Sequence, residues 1–97
     1  MPFETLTYLA HGYFHQDYDL LAATPSDLVR VFVAKEDPET LEELRRDLDQ
    51  LLATDPSEEE VRALWLGTAR SSYDPVLHGS SFLGWIRQVR EIVAEPS

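Results

Sequence analysis

Three helix starts carry proline directly after a residue that caps helices, at Thr24-Pro25, Asp37-Pro38 and Asp55-Pro56. At the first helical position proline costs nothing, because the N–H it lacks would have had no partner there and its fixed φ already suits a helix. Each pair therefore marks a helix start. Thr24 is followed at the third position by Asp27, and Asp55-Pro56-Ser57-Glu58 reads as a variant of the capping box. A fourth start falls at Ser80 or Ser81, and an N-terminal segment stops at Gly12. The chain is thus expected to be all-α, a compact bundle of about five helices near 3–11, 25–34, 38–53, 56–66 and 81–94, in one domain over 1–97.

Hydrophobic spacing agrees with the caps. At about 100° per residue, Leu41, Leu44, Leu48, Leu51 and Leu52 share one arc of roughly 100°. Phe82, Trp85, Ile86, Val89, Ile92 and Val93 share another of roughly 120°, which predicts a centrally packed last helix. Val61, Leu64 and Trp65 form the inner face of the fourth helix, and Gly67 is expected just past its end in the left-handed conformation. Val29 to Val33 alternates like a strand, but the Thr24 cap upstream decides for helix. The two longer connections, 12–24 and 67–80, are rich in aromatic and turn residues and are expected to be ordered against the bundle. Pro96 and Ser97 read as a tail.

Composition narrows the partners. Eighteen acidic against eight basic residues give a net charge of -10, which opposes phosphate backbones and anionic lipid, so neither direct nucleic-acid nor membrane binding is expected. Cysteine is absent, so there is no disulfide framework and no thiolate metal site, and a reducing cytoplasm is the expected setting. The N-terminus has no basic region before an apolar run, and no stretch approaches the ~18–20 apolar residues of a membrane span, so a soluble chain without a cleavable signal is expected.

The most distinctive run is Gly12-Tyr13-Phe14-His15-Gln16-Asp17-Tyr18. It resembles the YFHQDW-type signature of a family of small contact-dependent growth inhibition immunity proteins, with Tyr18 where that signature has Trp. Further matches follow in order: the acidic Leu-rich segment 41–52, Ser57-Glu58-Glu59-Glu60, Leu66-Gly67, Tyr73-Asp74-Pro75, and Gly79-Ser80 before Phe82-Leu83-Gly84-Trp85-Ile86. Residues 68–72 look like an extension within this pattern. The resemblance implies a cytoplasmic protein that binds the toxic C-terminal domain of a matching effector and blocks its active site. Such toxins are often nucleases, and a nuclease must show phosphates a basic surface that an acidic partner can cover.

Charge placement gives candidate contact residues. Residues 36–60 hold eleven acids and two Arg, a net of -9. Glu39, Glu43 and Asp47 on the third helix, with Glu58, Glu59 and Glu60 at the next start, are the expected partner-binding acids, and Tyr18 is an expected aromatic anchor. Against this stands the solvated-face reading, in which first-turn acids complement the helix dipole and Glu42 with Arg46, and Arg45 with Asp49, form i,i+4 pairs. Arg87 and Arg90 read in the same way as complements to the last helix's C-terminal end. Tyr13, Phe14, His15, Gln16 and Asp17 are expected to be structural, with the polar members bonded to loop backbone.

Other chemistry is weaker. His11 and His15 are four apart with Asp17 and Asp19 close by, but Gly12 interrupts the turn and no HExxH pattern exists, so no metal is expected. There is no nucleophile elbow, phosphate-cradling glycine loop or triad spacing, and Ser71-Ser72 and Ser80-Ser81 read as turn and cap residues. No catalysis and no cofactor are expected. The rival reading from residues alone is an acidic helical adaptor unrelated to toxins.

Overall fold

In the computed structural model, which describes residues 3–94, the first two proline caps act as the sequence predicts. Thr24 accepts the Asp27 amide at 3.1 Å and opens α2 (Pro25–Lys35). Asp37 accepts the Thr40 amide at 2.8 Å and opens α3 (Pro38–Ala53). The third start shifts by two residues. Ser57, not Asp55, caps α4 (Glu58–Arg62), its hydroxyl accepting the Glu60 amide while the Glu60 carboxylate accepts the Ser57 amide. Pro56 is buried before this cap, and Asp55 turns the chain with φ 50. The first helix, α1, spans Glu4–Gly12 and the last, α5, spans Phe82–Ala94, and no strand occurs among the described residues. No described helix is long and apolar enough to cross a membrane. The predicted tail at Pro96 and Ser97 lies outside the described residues.

The end of α4 departs from expectation. The helix widens into a π-helical turn, Ala63–Thr68, that carries Gly67 inside it. The Ala69 amide reaches back to Leu64 O at 2.8 Å and the Ser71 amide to Trp65 O at 3.1 Å. These bonds satisfy the last carbonyls without a reversal at Gly67, and Arg70 takes the left-handed conformation instead, at φ 54. Gly79 ends a 3₁₀ turn, Pro75–His78, at φ 82, where a side chain would be strained.

Packing follows the two predicted stripes. Leu44, Leu48 and Leu51 of α3 are buried, with Leu41 and Leu52 packed partly buried beside them. Phe82, Trp85, Ile86, Val89 and Ile92 of α5 are buried, and α5 touches α2, α3 and α4, which makes it the central helix. The segment 29–33 is helical, as its cap requires, with Val29 and Phe32 fully buried.

Both long connections are ordered, and aromatic rings order them. Phe14 is completely buried, its ring centroid 5.4 Å from Trp65, 5.5 Å from Trp85 and 5.7 Å from Tyr73. Its carbonyl accepts the Ser72 amide at 2.7 Å, tying the first connection to the second. The two tryptophans of this cluster differ in one respect. Trp65 Nε1 donates to the Tyr73 carbonyl at 2.8 Å, whereas the buried Trp85 Nε1 has no acceptor among the described residues. Trp65→Phe would strand a buried carbonyl, and Trp85→Phe would remove a donor that already lacks a partner. Urea unfolding is therefore expected to show Trp65→Phe as the more destabilising change by about 1–2 kcal/mol. Equal losses would remove this assignment.

Candidate partner-binding surface

Two helices of this bundle lack a sufficient local cap, and acids far along the chain supply one. Phe3, before α1, adopts a left-handed conformation and has no side-chain acceptor to offer. Asp47 of α3 fills the place: its Oδ2 accepts the amides of Thr5 and Leu6 at 2.9 and 3.1 Å, and Glu43 Oε2 accepts the Thr5 hydroxyl at 3.3 Å. At α5, Ser81 Oγ accepts only the Gly84 amide, at 2.9 Å. Glu58 takes the two amides before it, Phe82 at 2.9 Å and Leu83 at 2.6 Å. A carboxylate at a helix N-terminus satisfies orphan donors and meets the positive end of the dipole, so these acids hold the fold together.

The outer side of α3 does carry the predicted acids, but its two flanks face different neighbours. Glu43 and Asp47 turn toward α1. Asp49 turns toward α5, where Arg90 clamps it with contacts of 2.5 and 3.3 Å, and this guanidinium holds the Asp49 carboxyl below the usual carboxylate range. Two sequence readings change accordingly: Asp49 pairs with Arg90 rather than Arg45, and Arg90 is a tertiary partner rather than a dipole complement. Glu42 is shared between Arg45 and Arg46, the Arg46 contact being 3.9 Å. Glu39 and Glu59 are exposed, and their carboxylates make no hydrogen bond or ion pair among the described residues. Glu60 is engaged with Ser57 in the capping box.

Position along α5 separates these groups. Glu58 sits at Phe82, the start of α5, while the first turns of α3 border a shallow recess with Val93 near its end. At 1.5 Å per residue the two ends are about 16 Å apart. Glu39 therefore lies far from Glu58 and Glu59. The latter two instead line a recess of about 330 Å³ with Arg62, Asp74, Val76 and Phe82.

The motif residues divide sharply. Phe14 is core. Tyr13 is partly buried, stacked edge-on against Phe32 at 4.9 Å, and its hydroxyl donates to Glu36 Oε2 at 3.0 Å. Burial, then the hydrogen bond and charge of Glu36, push its phenol up to about 12 from 10.0. An acid whose native pKa is raised contributes stability below its unfolded pKa and loses it as pH climbs through the native one. Alkaline titration of phenolate absorbance is thus expected to show one tyrosine ionising near pH 12, together with falling stability between pH 10 and 12. Tyr13→Phe should abolish that late step; its persistence would assign the step elsewhere.

The polar centre of the motif faces outward. His15 Nδ1 accepts the Asp17 amide at 3.1 Å, the backbone bond expected of it. Gln16 and Asp17 are exposed, and neither side chain has a partner among the described residues, contrary to the loop-bonding role predicted for them. Solvent supplies their bonds, so burial does not compel an internal partner. Tyr18 opens a 3₁₀ turn, Tyr18–Leu20, and its ring meets Tyr73 at 5.7 Å; Tyr73 in turn meets the His78 ring at 5.3 Å. Burial, then the charges of Tyr18 and Asp74, raise the Tyr73 phenol.

The residues that sequence reasoning missed are apolar. Leu20 and Leu77 are 80% and 79% exposed, and Leu21 and Val76 are about half exposed. All four lie on or next to the two 3₁₀ turns, whose Tyr18 and His78 rings both meet Tyr73. The missed signal was two consecutive aliphatic pairs, Leu20-Leu21 and Val76-Leu77, inside connections whose other large apolar residues are aromatic. No group of three or more His, Asp or Glu side chains with metal-holding geometry occurs among the described residues.

A family model described as CdiI immunity protein matches residues 2–93. No curated protein matches. Among solved structures, a chain in the crystal structure of a CdiA-CT/CdiI complex from Y. kristensenii 33638 superposes with a TM-score of 0.88 at 24% identity, over 96% of this chain and 99% of that one.

Proposed function

This chain belongs to the CdiI immunity protein family, and from that premise we propose that it binds the toxic C-terminal domain of a matching effector one to one and covers its active site. The family match across nearly the whole chain carries this reading. We further infer that the toxin is basic and a nuclease. Eighteen acids against eight bases suit a partner that presents cationic surface to phosphates, and such complementarity speeds encounter. Inhibition proceeds by occupancy and without catalysis, so the chain acts as a stoichiometric inhibitor. The absence of cysteine is in keeping with action in the reducing cytoplasm, where a toxin that has entered must be met.

Co-expression with the C-terminal domain of the effector encoded beside it tests the proposal. Growth is expected to be restored when this chain is present and lost when it is omitted. Persisting toxicity at high levels of folded protein would overturn immunity and favour the acidic adaptor instead.

A further inference from the structure

Which part of the surface meets the toxin is not set by total charge, because most of the acids predicted for that role already serve the fold. Asp47, Glu43 and Glu58 bind amides or a hydroxyl of other helices, and Glu60 completes the capping box with Ser57. Surface that is free to bind lies elsewhere, on the two 3₁₀ turns.

We propose that the paired turns Tyr18–Leu20 and Pro75–His78 form the docking face for the basic toxin domain, with Leu20, Leu21, Val76 and Leu77 at its centre and Asp17, Glu59 and Asp74 at its rim. This rests on the immunity reading given above and assigns the surface that carries it out. Three observations lead there. First, Leu20 and Leu77 are four-fifths exposed although buried core would accept leucine, and each stands beside a second half-exposed apolar residue, Leu21 or Val76, on a turn whose aromatic ring meets Tyr73; exposed apolar residues grouped in this way on a chain this acidic mark an interaction site more readily than scattered ones do. Second, the turns are held: the Tyr18 ring meets Tyr73 edge-on and Tyr73 meets the His78 ring, and Asp74 caps the second turn through the Val76 amide at 2.9 Å, so less ordering entropy remains to be lost on binding. Third, the rim is acidic. Glu59 and Asp74 border one recess, where Arg62 is the only cation among the lining residues, and Asp17 directly precedes the first turn with its carboxylate unengaged among the described residues. An apolar centre within a polar, negatively charged rim suits a globular protein whose own rim is basic.

The test compares purified parent, Leu20→Ser/Leu77→Ser and Glu39→Lys for binding to the purified cognate toxin domain, with thermal melts of each. Both leucines are so exposed that the double variant is expected to melt with the parent. Its affinity should fall at least about 30-fold, as for loss of a hot spot, while Glu39→Lys, at the far end of α5, should stay within about threefold. Hydrogen exchange of the parent complex supplies a readout free of any variant: amides of residues 18–21 and 76–79 should slow on binding. Undiminished affinity of the leucine variant, or protection confined to 38–49, would overturn this face and leave immunity standing. A parent that forms no complex would overturn both.

Discussion

Replacing Phe14 by alanine is expected to destabilise the protein by about 3–5 kcal/mol, the range for a fully buried aromatic truncated in a core. The ring sits between Trp65, Trp85 and Tyr73, and its backbone carbonyl receives the Ser72 amide, so it is where the two irregular connections are joined to the helices. The space left would be lined by rigid aromatic rings that collapse poorly, which places the cost toward the upper end. For a domain of this size the melting temperature should fall by more than about 12 °C. A fall of only a few degrees would mean that the cluster does not organise the loops. His15→Ala and Gln16→Ala, on the outward part of the same motif, should each stay within about 0.5 kcal/mol of the parent.

Asp47→Ala is expected to cost about 2–3 kcal/mol, an unusual price for an acid on the outer side of a helix. Its Oδ2 alone accepts two α1 amides, each a charge-assisted bond, and Phe3 at the cap position of α1 offers no side-chain acceptor in its place. Asp47→Asn keeps an oxygen for both amides but loses the charge facing the dipole, so about half of the loss should be recovered. Glu39→Ala, on the same helix and without a partner, should change stability by less than about 0.5 kcal/mol. Urea unfolding of the three variants decides the matter: equal, small effects would mean that Asp47 is merely solvated. The contrast also governs how binding data are read, since charge reversal at Asp47 perturbs α1 as well as any partner.

The contrast between Glu39 and Asp47 shows what a sequence can and cannot disclose. Helix starts were legible because caps are local: Thr24 and Asp37 bond amides three residues on. The core was legible because helical geometry turns spacing into a face. The tertiary caps were not, since Asp47 and Glu58 find their amides 41 to 42 and 24 to 25 positions away. The clue was indirect: Phe3, at the cap position of α1, has no side-chain acceptor, so one had to come from elsewhere. Similarly, Gly67 reads as a helix stop only if the helix remains α-helical, and the π turn carries the chain past it. The motif's resemblance named the family, yet exposure alone divided it into buried Phe14, half-buried Tyr13 and outward Gln16 and Asp17.

The most direct test of the account is a titration of the purified chain into the purified toxin domain of the neighbouring effector, following heat and toxin activity together. A one-to-one complex is predicted, with toxin activity gone at equivalence. Association should slow roughly tenfold or more between low and high salt, as screening removes the electrostatic steering. No heat and undiminished toxin activity, with both proteins folded, would contradict it.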